Sequence, residues 1–221
     1  MTKASDIRVI ETELYFLPVQ TRVPLKFGTE TTTSVTCARA KVTVADRAGR
    51  RAEGWGETPL SVQWVWPSKL PYEPRHRVLK DFTIQLAEAW RTFEGRGHPL
   101  EIGWDFQEQV LRGMLGARNR VLPEGTEPMP WLAALVCCSL FDIAVHDAYG
   151  QLHGRPVYQT YDSGFLNRDL SEFLSPAEGT KISFWNKYPN EFLVPEPAKQ
   201  LRAWHLVGGL DLLDPAELTG T

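Results

Sequence analysis

The chain has 221 residues, and 24 Lys+Arg against 27 Asp+Glu leave a formal net charge of −3. That length suits one large or two small domains with a substantial core. The balanced charge, with no long run of one sign, argues against a nucleic-acid binder or a protein drawn to anionic membranes.

The N-terminal MTKASDIRVIETE lacks the apolar core of a signal peptide. Three cysteines, Cys37, Cys137 and Cys138, are odd in number, with two adjacent in an apolar run and no CxxC pair. They read as reduced thiols of a cytoplasmic protein.

Residues 7–17, IRVIETELYFL, alternate apolar and polar and are rich in β-formers, which predicts a strand ending at Pro18. A loop with two prolines and a glycine follows. Residues 35–46, VTCARAKVTVAD, alternate again and place Val35, Cys37, Ala38 or Ala40, Val42 and Val44 near one face. The polar turn DRAGRR leads to a shorter strand, AEGWGE, so the first third predicts an antiparallel meander. GWGE at 54–57 has no helix directly behind it to hold a phosphate, and reads as a strand end whose glycines permit close packing. The aromatic loop after it, with Trp64, Trp66 and Pro67, either covers a core edge or walls a ligand pocket.

The period then changes. Residues 74–93 carry Val78, Phe82, Leu86, Ala89 or Trp90 and Phe93 at three- and four-residue steps, an amphipathic helix. Residues 99–116 predict a second helix with Pro99 in its first turn and Ile102, Phe106, Val110 and Leu111 inward. Residues 130–149 predict a third, closed by Gly150 and Gly154. Its apolar run, 130–145, is shorter than the roughly 20 residues that span a bilayer and contains Asp142, so a buried helix is expected. Strands first and helices after give an α+β domain. From 157 onward periodicity weakens, and AWHLVGG at 203–209 reads as a short strand opening a new unit.

The segment LFDIAVHDAYG at 140–150 concentrates three titratable groups. Asp142 and His146, four apart, lie on one helical face and can pair, whereas Asp147 points about 140° away from Asp142. The three therefore cannot converge on one ion. Asp142 falls in the stripe Trp131, Leu135, Cys138, Asp142, Val145, Tyr149, where an unpartnered carboxylate is costly, so a partner is expected: His146, a backbone N–H or an arginine from another segment. The five histidines are scattered, and no GxSxG, GxxxxGK or HExxH occurs.

The run SLFDIAVHDAYGQLHGRPVY, 139–158, resembles the signature of the mandelate racemase/muconate lactonizing enzyme group of the enolase superfamily. The matching positions are Asp142, Ala144, Asp147, Gly150, Gln151, Gly154, Pro156 and Val157. The family continues with Leu-Leu-Gly where this chain has Thr160, Tyr161 and Asp162. The resemblance implies an enolase-like N-terminal capping domain over residues 1–160: a three-stranded antiparallel meander followed by a helical bundle. Residues 161–221 are then expected to be a linker and the truncated start of a (β/α)8 barrel, with AWHLVGG as its first strand.

The family's enzymes are dehydratases, racemases and cycloisomerases. They use Mg²⁺, held by three barrel carboxylates, to assist proton abstraction α to a substrate carboxylate. The barrel's catalytic set has no counterpart here, so no catalytic or metal-binding residue is assigned and no Mg²⁺ is expected on this chain. The cap's part is to close two mobile loops, which look like residues 18–31 and 56–66, over a small carboxylic acid or acid sugar. Lys26 would meet the carboxylate, while Phe27 and Trp64 would exclude water and fit the distal end. Homo-oligomers are compatible with this resemblance. The competing expectation is a non-enzymatic binding module, or a cap that docks on a separate barrel chain. Such a module would be stable by itself, whereas truncation predicts disorder after about residue 160.

Overall fold

The alternating N-terminal stretches form a three-stranded antiparallel sheet, order β1-β2-β3, in the computed structural model, which describes residues 2–27, 30–123, 125–204, 214 and 216. The strands are β1 (Ile7–Phe27), β2 (Glu30–Asp46) and β3 (Arg51–Pro59). The helices are the short α1 (Val62–Val65), α2 (Tyr72–Thr92), α3 (Pro99–Phe106), α4 (Arg112–Arg120) and α5 (Trp131–His153). This is the α+β order expected.

β1 does not end at Pro18. It pairs with β2 as far as Phe27↔Glu30, and the expected loop at 18–31 is instead the end of a long two-stranded ribbon. β1 is an edge strand over most of its length and needs only every second N–H for its one ladder, so a proline can occupy one of the other positions. The ribbon is irregular between Gln20 and Leu25, around Pro24, and a bulge leaves Ile10 unpaired between Val9 and Glu11.

The inward face of β2 is Ala38, Ala40, Val42 and Val44, all fully buried. Val35 and Cys37 belong to the opposite face, because residues an odd number apart in a strand point opposite ways. Gly49, in the left-handed region at φ 81°, closes the β2–β3 turn by donating its N–H to the Asp46 carbonyl.

α2 buries Leu79, Phe82, Leu86 and Trp90. Trp90 stacks on Phe106 at 4.0 Å between ring centroids, and Phe93 meets Phe106 edge-on at 5.3 Å. α3 and α4 are joined without a break by a π-helical turn, Gln107–Leu111. Ile102 and Phe106 are four residues apart, but the next fully buried side chain, Leu111, is five further on. The wide turn absorbs that extra residue and keeps Leu111 on the core side.

α5 is apolar nearly all round and lies between the sheet and α2. It is the one helix among the described residues long and apolar enough to cross a membrane, and its packing is that of a core helix. Gly154 ends it in the left-handed region at φ 61°.

The chain after α5 stays on the domain past residue 160. Thr160 and Leu166 are buried, and Phe173 meets Trp104 edge-on at 5.6 Å. A second fold-back ties Leu170 N–H to the Lys187 carbonyl and Asn190 N–H to the Tyr161 carbonyl. The expected barrel strand at 203–209 lies largely outside the described residues.

Candidate functional site

The signature helix and GWGE meet in one seam. On β3, Gly54 and Gly56 face α5 so closely that a Cβ on Gly54 would stand 2.1 Å from the Ala148 nitrogen and 2.2 Å from the Ala144 oxygen. A Cβ on Gly56 would stand 2.0 Å from the Leu140 oxygen. Backbone therefore packs on backbone, and the alanines at 144 and 148 are the matching small residues on the helix. The GWGE glycines have the packing role expected of them.

The three titratable residues of α5 divide as helical phase requires. Asp147 Oδ2 accepts the Trp55 backbone N–H at 2.8 Å, an outward-facing group of edge strand β3, and Gln151 donates weakly to its other oxygen at 3.4 Å. Asp142 finds its partner in His146, with Nδ1 3.7 Å from Oδ2, while the same nitrogen lies 2.8 Å from the Asp142 carbonyl oxygen. Loss of hydration pushes the Asp142 carboxyl above its usual range, and His146 opposes the shift. The side chain keeps 37% of its surface, so water shields much of that cost. With Leu100, Ile143, Val157, Tyr158 and Tyr161, these residues line an open cleft of about 500 Å³.

The residues do not fit Mg²⁺. Asp142 and Asp147 are turned apart and committed to different partners, and no group of three or more His, Cys, Asp or Glu side chains among the described residues is placed to hold a metal.

The expected substrate residues are not brought together. Lys26 and Phe27 are placed at the ribbon tip by their pairing with Thr31 and Glu30, and their side chains lie outside the described residues. Trp64 is on α1, beyond the end of β3, and is 53% exposed. β3 ends at Pro59↔Cys37, seven residues along β2 from Glu30, so the tip stands roughly 20 Å further along the ribbon. The segment expected as a second mobile loop is the end of β3 followed by α1. Leu60, Val62, Val65 and Trp66 are buried there, and the Trp66 indole N–H donates to Glu127 at 2.6 Å. Of the two readings of the aromatic loop, covering a core edge describes Trp66, while Trp64 and Pro67 are exposed.

A buried polar knot was missed. Glu101, 2% exposed, accepts the His98 N–H at 3.0 Å, the Asn167 and Arg168 N–H groups at 2.6 and 2.7 Å, and the Asn167 side-chain amide at 2.9 Å. Arg168 also forks onto Asp105 at 2.9 and 3.0 Å and donates to the Glu101 carbonyl. Asp6 accepts from Asn167, and Lys3 donates to the carbonyls of Ser163 and Leu166. His98 is fully buried, its ring contacting Thr160 Oγ1 at 2.9 Å. Burial, with lesser repulsion from His146 and His153, lowers its pKa to about 3. The spacing His98-x-x-Glu101 at a helix start is a capping box and was the available signal.

No family model matches the chain, and no curated protein matches it. Among solved structures it is similar to enolase-superfamily enzymes. One is the L-Ala-D/L-Glu epimerase of Bacillus subtilis (16% identity, TM-score 0.40, covering 70% of this chain and 34% of that one). A second is a mandelate racemase/muconate lactonizing enzyme-like protein of Rubrobacter xylanophilus (20%, 0.37, 69% and 33%). A third is the L-talarate dehydratase of Polaromonas sp. JS666 (11%, 0.41, 75% and 41%). The chain spans about a third of the length of the first of these structures.

Proposed function

We propose that this chain is the substrate-capping part of an enolase-superfamily enzyme, a dehydratase, racemase or cycloisomerase acting on a small carboxylic acid or acid sugar. The observation that carries the reading is the seam between GWGE and Asp142-x-Ala144-x-x-Asp147: the signature positions perform linked packing tasks, with Ala144 receiving the β3 glycines and Asp147 holding the β3 edge. In this reading the ribbon tip with Lys26 and Phe27 and, separately, Trp64 beyond the end of β3 belong to the face turned toward a barrel, to which the Mg²⁺ chemistry belongs. The chain alone neither turns over substrate nor binds Mg²⁺ at a specific site. Its three free thiols, with burial raising Cys137 and Cys138 to about 12, suit the reducing cytoplasm in which we place it.

The test has two arms. Reading the DNA beyond codon 221 should reveal a frame, continuous or restored by a single-base shift, that encodes Lys-x-Lys and spaced acidic strand ends. Isothermal titration should show no tight Mg²⁺ site on the 221-residue protein, and one tight ion per chain would overturn the reading.

One observation favours a second reading, a cap-like module stable by itself. The Glu101–Arg168 knot fastens residues 161–173 onto the domain, where truncation predicts disorder. Hydrogen exchange over 161–173 as slow as in α5 supports the module, and fast exchange there supports the truncated cap.

A further inference from the structure

At the end of the sheet away from the ribbon tip, three arginines meet in one register row. β1 pairs Arg8 with Ala45 of β2, and β2 pairs Ala45 with Arg51 of β3. On the other side of β1, the antiparallel bridge Ile7↔Gly97, with both of its backbone hydrogen bonds formed, sets Arg96 opposite Arg8. The row reads Arg96, Arg8, Ala45, Arg51, drawn from the α2–α3 connection and all three strands. Together with Arg47 of the β2–β3 turn, these side chains line an open cleft of about 350 Å³, whose other lining residues are Ile10, Ala45, Asp46 and Gly49.

This row lacks balancing charge. Among the described residues no carboxylate lies within ion-pair distance of Arg8, Arg51 or Arg96. The one acid in the cleft, Asp46, is committed to Arg50 through a 2.7 Å side-chain bond and a 2.9 Å bond from the Arg50 N–H. Glu53, the next outward residue on β3, lies by Lys41 at 3.7 Å, and Glu11 begins the next row beyond the bulge. Arg47 spends one donor on the Thr2 hydroxyl at 2.8 Å and keeps the rest.

Like charges placed directly opposite across strands are destabilising, and a guanidinium cannot relieve the conflict by losing its proton. Neighbouring strands are roughly 5 Å apart, so the Arg8 and Arg51 backbones are about 10 Å apart with a methyl between them. That leaves a gap for an anion bridging the two guanidiniums. Together these side chains offer more donors than a single carboxylate accepts, whereas a phosphoryl group brings three acceptor oxygens and up to two negative charges.

We propose that this cleft is an anion site for the phosphoryl group of a small molecule. It stands apart from the ribbon tip and owes nothing to the capping reading.

The experiment is thermal unfolding of the full 221-residue protein in low-salt buffer, with inorganic phosphate or pyrophosphate set against sodium chloride at equal ionic strength. A site that binds only the folded state raises Tm by about 5 °C at hundred-fold excess over Kd. The double variant Arg8→Gln/Arg51→Gln, both positions exposed, is expected to lose that rise. In phosphate-free buffer it should melt no lower than the wild type, because it has lost repulsion. Pyrophosphate no better than chloride, or an undiminished rise in the double variant, would overturn the proposal.

Discussion

Two contacts of this domain, the packing of α5 on β3 and the return of the chain onto α3, are held by opposite means. Toward β3 there is almost no side chain at all: Gly54 and Gly56 bring strand backbone against helix backbone at Leu140, Ala144 and Ala148. At α3 the returning chain is held by charge, with buried Glu101 collecting N–H donors from His98, Asn167 and Arg168. The first contact is fixed by shape and fails only when atoms are added. The second is fixed by directed bonds and fails when a partner is removed.

The seam should therefore be the more brittle to enlargement. Gly56→Val or Gly54→Val sets a branched side chain against backbone that cannot rotate away, and a loss of about 4 kcal/mol or more is expected. Urea unfolding, or loss of soluble protein, reads this out. A variant within 1 kcal/mol of the wild type would show that the close approach is dispensable.

The knot should answer to truncation instead. Glu101→Ala leaves three backbone N–H groups and the Asn167 side-chain amide without this acceptor, and should cost about 3 kcal/mol. Hydrogen exchange is expected to quicken across 161–173 while β3 and α5 remain protected. Uniform loss of protection would mean that the two contacts are not separable.

The comparison can be sharpened by pH, because His98 belongs to the knot and nothing titratable in the seam is as deeply buried. Its folded-state pKa of about 3 is below the ordinary value, so the unfolded chain binds the extra proton first. This contribution is intact above about pH 6.5 and falls away as pH drops toward 3. Between pH 6 and 5 the loss is about 1 kcal/mol. His98→Gln should flatten that part of the stability profile, measured by urea midpoints at the two pH values. An unchanged slope would remove His98 as its source.

The smallest effect is expected at Trp64, which takes part in neither contact. Trp64→Ala, at an exposed position, should shift stability by less than about 0.5 kcal/mol. If the capping reading holds, the same change in a complete enzyme should alter kcat/KM by far more than it alters Tm.

The order of strands and helices was legible because core burial imposes a period, two in β2 and 3.6 in α2. Helical phase alone separated Asp142 from Asp147, and spacing offered His146 as one of the candidate partners of Asp142. The ribbon beyond Pro18 was not legible: proline reads as a stop unless the strand is known to lie at an edge, and edges are assigned only by pairing. The π-turn at 107–111 was hidden similarly, since a five-residue step between Phe106 and Leu111 breaks the helical template. Lys26 and Phe27 were named through resemblance rather than through any pattern in their own residues.

The sequence by itself determined the local elements, the glycine-for-packing role of GWGE and the divergence of the α5 acids, because each depends on short-range geometry that repeats along one element. Tertiary structure alone decided that residues 161–173 close back on α3, and that Arg96, Arg8 and Arg51 share a row. Those contacts join segments far apart in the chain, and charged residues carry no periodic sign of the partners they will meet.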